Sequence, residues 1–184
     1  DMKIHGTAEG ASLSKKDFGV AFTAAAAPQS TWEQTSQTGY QVLDPKIISL
    51  KMLSGFEVVD NIISEVKWYL RVFEGTPTGT IQCKIVSSDK NTVLASSETL
   101  AMPTSGSFAY FTFSTFDNDV TILANFYVLI QTTYTSTGDN SITVGVTGST
   151  ITNTEMWKGT AETPPPYVTS QLADETPTMA ITYG

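Results

Sequence analysis

Residues that commonly catalyse reactions or bind nucleic acids are scarce in this chain of 184 residues. It has one cysteine, one histidine and one arginine, and 15% of its residues are charged, against about a quarter in an average protein. Its net charge is −8 and its pI is about 4.5. Because binding to phosphates needs clustered cations, these values argue against DNA, RNA and anionic lipid surfaces as partners. No apolar run approaches 18 residues, so no membrane-spanning segment is predicted.

The usual enzymatic motifs are also missing. A hydrolytic triad normally needs a histidine base, and the single His5 lies near the start of the sequence. His5 and Cys83 are too far apart in the sequence to supply the ligands of a zinc site. No nucleophile elbow, phosphate-binding loop or dinucleotide fingerprint occurs, and the clustered carboxylates lie in or beside turns. We therefore expect a protein that is not an enzyme, and we expect Cys83 to be a small buried apolar residue.

Serine and threonine are abundant instead, at about a quarter of the chain, and 40% of the residues are hydrophobic. Threonine suits a pleated, half-buried surface while remaining polar, so this composition is typical of an all-β protein with neutral faces. The length is sufficient for one domain with a sizeable core.

The clearest pattern lies at residues 62–86. The even positions are mostly apolar and include Ile62, Val66, Trp68, Leu70 and Val72. Several of the odd positions between them are charged. This period of two is the repeat of a strand with one buried face. The segment 74–79 then supplies glycine and proline that end the strand, and apolar residues alternate again from 81 to 85. We interpret these two strands as a β-hairpin.

Similar alternations predict strands near residues 48–52, 92–95, 109–113, 125–134, 142–146 and 178–183. About eight strands separated by turn residues, without intervening helices, indicate an antiparallel sandwich. The predicted fold is therefore all-β, a jelly-roll-like antiparallel β-sandwich over residues 46–184, preceded by a strand-forming N-terminal arm over residues 1–45.

The order of several short segments resembles a known class of domain. These segments are VKWYL (66–70), GTPTGTI (75–81), VLASS (93–97), YFTF (110–113), FYVLI (126–130) and ITYG (181–184). They look like the jelly-roll sandwich domains of exported microbial surface proteins and of phage or archaeal-virus structural proteins. The resemblance covers roughly residues 41–184 and carries no catalytic signature. It implies an extracellular, cell-surface or virion location, although a fold alone does not determine function.

The N-terminal arm has two short segments of strand character, at residues 3–8 and 17–23, and a small-residue connector, Ala24 to Ala27, before Pro28. A strand-forming arm can complete the sheet of a neighbouring subunit, and head-to-tail addition of this kind builds filaments. The side chains expected to make these contacts are those of Ile4, Phe18, Val20 and Phe22. The alternative is an arm that folds onto its own domain.

Two sets of loop residues are candidates for ligand binding. Asp117, Asp119 and Asp139 offer oxygen ligands that suit calcium, the one cofactor that the sequence leaves open, although such residues also form turns without an ion. Trp157 and Tyr167 lie in a Thr-, Gly- and Pro-rich excursion over residues 147–176 and could stack on sugars. They could equally pack over one end of the sandwich or against another subunit.

The sequence therefore predicts a non-enzymatic structural protein that self-assembles with copies of itself through β-strand contacts. The alternative is a carbohydrate-binding or adhesive surface module.

Overall fold

The computed structural model describes residues 28–43, 46–133, 141–160 and 170–184, and every regular element in these ranges is a β-strand. No described residue belongs to a helix able to span a membrane. The strands are β1 (Ser30–Gln34), β2 (Gly39–Val42), β3 (Lys46–Met52), β4 (Ile63–Glu74), β5 (Thr80–Val86), β6 (Val93–Ala101), β7 (Ala109–Phe113), β8 (Tyr127–Thr132), β9 (Ser141–Thr147), β10 (Thr154–Thr160), β11 (Ser170–Leu172), β12 (Thr176–Pro177) and β13 (Met179–Tyr183).

These strands form two antiparallel sheets, which confirms the predicted all-β sandwich. Sheet A has the order β1-β13-β4-β9-β12, with β2 paired to β9 and β7 paired to β4. Sheet B has the order β11-β10-β3-β8-β5-β6. Strands that follow one another in the chain commonly lie in different sheets, so the chain crosses repeatedly from one layer to the other.

The core fills the space between the two sheets. Trp68 and Phe113 from sheet A, and Leu50, Ile81 and Ile130 from sheet B, have no more than 1% of their surface exposed. They belong to one cluster of buried apolar residues. Burying each large side chain contributes about 1.5–3 kcal/mol, so the inward positions of the alternating strands hold the layers together.

The predicted hairpin at residues 62–86 is wrong. β4 pairs with β13, β7 and β9 in sheet A, whereas β5 pairs with β6 and β8 in sheet B. Residues 75–79 carry the chain between the sheets, and Cys83 on β5 lies against Trp68 on β4 across the core. Alternation shows which face of a strand is buried but not which strand is its neighbour, so the pattern was compatible with both arrangements.

One residue of the predicted apolar face is also misplaced. Ile63 is buried, with 4% of its surface exposed, while Ile62 is 37% exposed. The pairing of β4 with β13 shifts here, because Tyr183 pairs with Ile63 whereas Thr182 pairs with Glu65. An extra residue in one strand reverses the inward and outward positions beyond it.

Part of the predicted arm belongs to the sandwich. β1 pairs with β13 and β2 pairs with β9, so both are strands of sheet A. Trp32 on β1 is buried, and its ring meets that of Phe56 edge-to-face at 5.0 Å between centroids. The boundary predicted after residue 45 therefore does not hold for residues 30–43. The prediction failed because these short outer strands carry few large apolar side chains.

Residues 1–27 lie outside the described ranges, and with them Ile4, Phe18, Val20 and Phe22. The expected contacts of the arm therefore stay a prediction.

Candidate functional site

A row of aromatic rings and one arginine crosses the outer face of sheet A. We call it the aromatic ladder. Tyr69, Arg71 and Phe73 lie on β4 at positions that alternate with the inward-facing Trp68 and Leu70. The complete ladder consists of Tyr40, Tyr69, Arg71, Phe73, Phe108 and Tyr110. Alternation along β4 places its members outward, and sheet pairing brings the others beside them.

The members of the ladder stack on one another. The ring of Tyr69 is nearly parallel to that of Phe108, with centroids 4.9 Å apart and an interplanar angle of 16°. On β7, Tyr110 pairs directly with Tyr69, and their centroids are 4.8 Å apart. Arg71 Cζ lies 4.7 Å from the Phe108 centroid and 5.1 Å from that of Tyr40. These ring–ring and cation–π distances are favourable, so each group fixes the position of the next.

A glycine makes this stacking sterically possible. Gly145 on β9 lies beneath the rings, and a Cβ atom there would be 3.0 Å from Tyr69 Cδ1 and 3.4 Å from Phe108 Cε1. Real Cβ atoms are rarely so close to other atoms, so any larger residue would displace the rings. Glycine inside a strand often marks such a close approach.

The charge of Arg71 has no carboxylate partner among the described residues. Its Nε donates a hydrogen bond to Thr143 Oγ1 at 3.4 Å, and the two ion pairs in the described ranges are Lys51–Glu155 and Lys67–Glu65. Tyr40 and Phe73, which lie near Arg71, are 43% and 47% exposed. Tyr110, at the far end of the ladder, is 44% exposed. The ladder thus presents a positioned cation and accessible aromatic surface on the outside of the sheet.

The edges of the sheets differ in how they are covered. Along β6, the outermost strand of sheet B, residues 114–118 make backbone hydrogen bonds from Glu98 N to Thr115 O (2.8 Å) and from Asp117 N to Ser96 O (3.0 Å). The Glu98 carboxylate also accepts hydrogen bonds from the backbone N–H groups of Ser114 and Thr115, both at 3.0 Å. By contrast, β1 ends sheet A, and no described strand pairs with its second edge.

The aspartates predicted as calcium ligands are not gathered into a site within the described ranges. Asp117 Oδ1 accepts a hydrogen bond from Ser96 N at 2.8 Å, so this carboxylate helps to cover the β6 edge. Asp119 is exposed in the same turn, and Asp139 lies outside the described residues. No group of three or more His, Cys, Asp or Glu side chains in the described ranges is arranged to hold a metal ion.

Trp157 lies on a strand and not in the loop-rich excursion predicted for it. It pairs with Ser49 on β3 and with Gln171 on β11. Its indole Nε1 donates a hydrogen bond to Glu155 Oε2 at 2.9 Å, and Lys90 Nζ lies 4.1 Å from the ring centroid. The chain's own residues therefore engage this partly buried ring. Tyr167, the second predicted sugar-binding residue, lies outside the described residues.

The residue pattern alone does not predict the aromatic ladder. Alternation predicts the outward side of β4, but the rings beside it come from β2, from β7 and from the residue before β7. A signal is present in β4, where three successive outward positions carry the large side chains of Tyr69, Arg71 and Phe73.

The chain matches no model of a known protein family, and no curated protein is similar to it.

Proposed function

We propose that the protein is a non-enzymatic structural subunit that assembles with copies of itself by β-strand addition, in an extracellular filament, on a cell surface or in a virion. The observation that carries this proposal is that no strand in the described ranges covers the second edge of β1, whereas the β6 edge is covered. An exposed edge presents unpaired N–H and C=O groups and promotes association, so proteins usually protect edges that are not used.

The position of β1 in the chain suits this role. Only Pro28 and Gln29 separate β1 from residues 1–27. The predicted strand over residues 17–23 would pair with the β1 edge of the next copy, and its alternating Phe18, Val20 and Phe22 would add apolar contacts. Main-chain hydrogen bonds supply affinity in strand addition, and alternate side chains supply specificity.

Each copy would then offer one arm and accept one arm. Such a contact joins two different surfaces, and it produces an open polymer when the rotation between successive copies does not close into a ring. The net charge of −8 per copy opposes close approach, and salt should therefore promote assembly by screening this repulsion.

Deleting residues 1–28 tests the proposal. We expect the full chain to form regular polymers in negative-stain electron microscopy as its concentration is raised. The shortened chain should remain a folded monomer, because β1 begins at Ser30 and all described strands are retained. A synthetic peptide of residues 14–28 should bind to the shortened chain, and the same peptide with Phe18 and Phe22 replaced by serine is the matched control.

Two results would contradict the proposal. Polymers formed equally well by the shortened chain would show that the arm is not needed. Unfolding of the shortened chain, measured by circular dichroism, would show that the arm is an integral part of its own domain.

A further inference from the structure

We propose that the aromatic ladder binds a polysaccharide that carries carboxylate groups, with Arg71 binding a carboxylate and the aromatic side chains contacting the sugar rings. This site lies on the face of sheet A, so it is independent of assembly through the β1 edge.

Arg71 is the reason to expect a carboxylate group in the ligand. It is the only arginine in the chain, and among the described residues its single hydrogen bond goes to a neutral hydroxyl, that of Thr143. A guanidinium group offers five N–H donors in a plane that matches a carboxylate in a bidentate manner. Phe108 and Tyr40 lie within about 5 Å of this group, so little side-chain entropy is lost on binding.

The shape of the ladder is the reason to expect an extended ligand. Tyr110, Tyr69, Phe108, Arg71 and Tyr40 follow one another across the strands, and each is about 5 Å from the next. Tyr110 at one end and Tyr40 and Phe73 at the other have nearly half of their surface exposed. A chain of sugars lying along this row would contact both ends and the central cation at the same time.

The surrounding residues favour a sugar over a protein partner. The outward positions paired along β4, β7, β9 and β13 include the partly exposed Thr112 and Thr182 and the buried Thr143, and none of them is Val, Leu, Ile or Met; on β2, Val42 pairs with Thr143. The buried centre of a protein interface is enriched in Tyr, Trp, Phe, Met and Arg, so the rings and the arginine of the ladder suit either kind of partner, and it is the hydroxyl-bearing residues around them that favour a sugar. Aromatic rings surrounded by hydroxyl groups can contact the apolar faces of sugars and hydrogen-bond to their hydroxyls.

The overall charge makes the proposal sharply testable. Because the net charge of −8 repels a polyanion, the overall charge opposes binding, and an acidic ligand needs a local cation such as Arg71. Isothermal titration calorimetry with the full chain should therefore detect binding of at least one of three acidic probes: oligogalacturonate, oligomannuronate or oligosialate. The fully methyl-esterified form of the probe that binds has the same backbone without the charge, and it should bind at least about tenfold more weakly.

Substitutions locate the interaction. Arg71→Gln should weaken binding of the acidic probe at least about tenfold, and Tyr110→Ala should weaken it several-fold. Lys67→Gln is the matched control, since it removes a positive charge from the same sheet face, one already paired with Glu65 at 3.0 Å. It should change affinity less than twofold. Unchanged melting temperatures of all three variants would show that the fold is intact.

Each other outcome overturns the inference. Equal affinity for the acidic and esterified probes would exclude carboxylate recognition. Equal losses in Arg71→Gln and Lys67→Gln would indicate diffuse electrostatics. Polyglutamate binding as tight as that of the sugars, with the same dependence on Arg71, would indicate a protein ligand. Failure of all three acidic probes to bind would show that the ladder does not bind acidic polysaccharides.

Discussion

Cys83 illustrates how position determines the chemistry of a single residue. The sequence placed it on the apolar side of a strand, and in the structure it is fully buried. Burial raises the pKa of its thiol to about 12. Since the thiolate is the reactive form, about one molecule in ten thousand would carry it at pH 8, even before access is considered.

We therefore predict that Cys83 does not react with a thiol reagent such as DTNB in the native protein at pH 8. Labelling should be complete within minutes in denaturant and should otherwise proceed at the rate of global unfolding. Fast labelling of the native protein, with no change in circular dichroism, would contradict both the burial and the raised pKa.

The ladder shows what residue patterns leave open. Alternation along β4 correctly places Tyr69 and Arg71 on the side away from the core. It cannot reveal that Phe108 and Tyr40, which are some 30 residues or more away in the sequence, stack against them. Such contacts depend on which strands become neighbours, and this information is not local.

At the scale of elements, the turn between β5 and β6 is held by one carboxylate. Asp89 Oδ1 accepts hydrogen bonds from the Ser87 hydroxyl, from Asn91 N (2.8 Å) and from Thr92 N (3.0 Å), and Asp89 Oδ2 accepts one from Thr92 Oγ1 (2.8 Å). These bonds favour the charged form and hold the pKa of Asp89 well below its ordinary value of 3.8. Asx residues stabilise turns in this way.

The sign of the pH dependence follows directly. A lowered pKa in the folded state means that the stabilising contribution of Asp89 is complete above pH 3.8 and is lost as the pH falls below it. Asp89→Asn should therefore be less stable than the wild type at pH 7, and the difference should shrink at pH 3. Urea unfolding at both pH values measures this, with Asp119→Asn as a control for the loss of one exposed charge. A difference that stays constant between pH 7 and pH 3 would contradict the role assigned to the carboxylate.

The positions of the strands can be predicted from the sequence, but their pairing partners cannot. Most strands lie where the period-two pattern placed them, because burial of one face is a local property. The assumed partner of β4 was wrong, because a turn such as residues 75–79 can either reverse the chain within a sheet or carry it to the opposite sheet. The same segment of sequence satisfies both geometries.

At the scale of the whole molecule, the apolar alternation and the scarcity of helix-forming runs were enough to predict a two-sheet sandwich. These features did not show at which residue the sandwich begins. β1 and β2 read as polar segments, and each is recognised as a strand only through its partner, β13 or β9. Outer strands contribute few side chains to the core, so their sequences are weakly constrained.

Truncation at two positions tests where the domain begins. A chain starting at residue 29 retains β1 and β2, whereas a chain starting at residue 46 loses both, together with Trp32 and Leu43, which are 8% and 0% exposed. Removing one buried Trp side chain typically costs about 3–5 kcal/mol, and a domain is stable by about 5–15 kcal/mol in total.

We therefore expect the chain that starts at residue 29 to unfold cooperatively on heating. The chain that starts at residue 46 should be unfolded or aggregated at 25 °C, because the loss of β1 and β2 also exposes the edges of β13 and β9. Thermal unfolding followed by circular dichroism distinguishes the two. If both chains melted at the same temperature, β1 and β2 would be accessory to the sandwich, and the uncovered edge available for assembly would be that of β13.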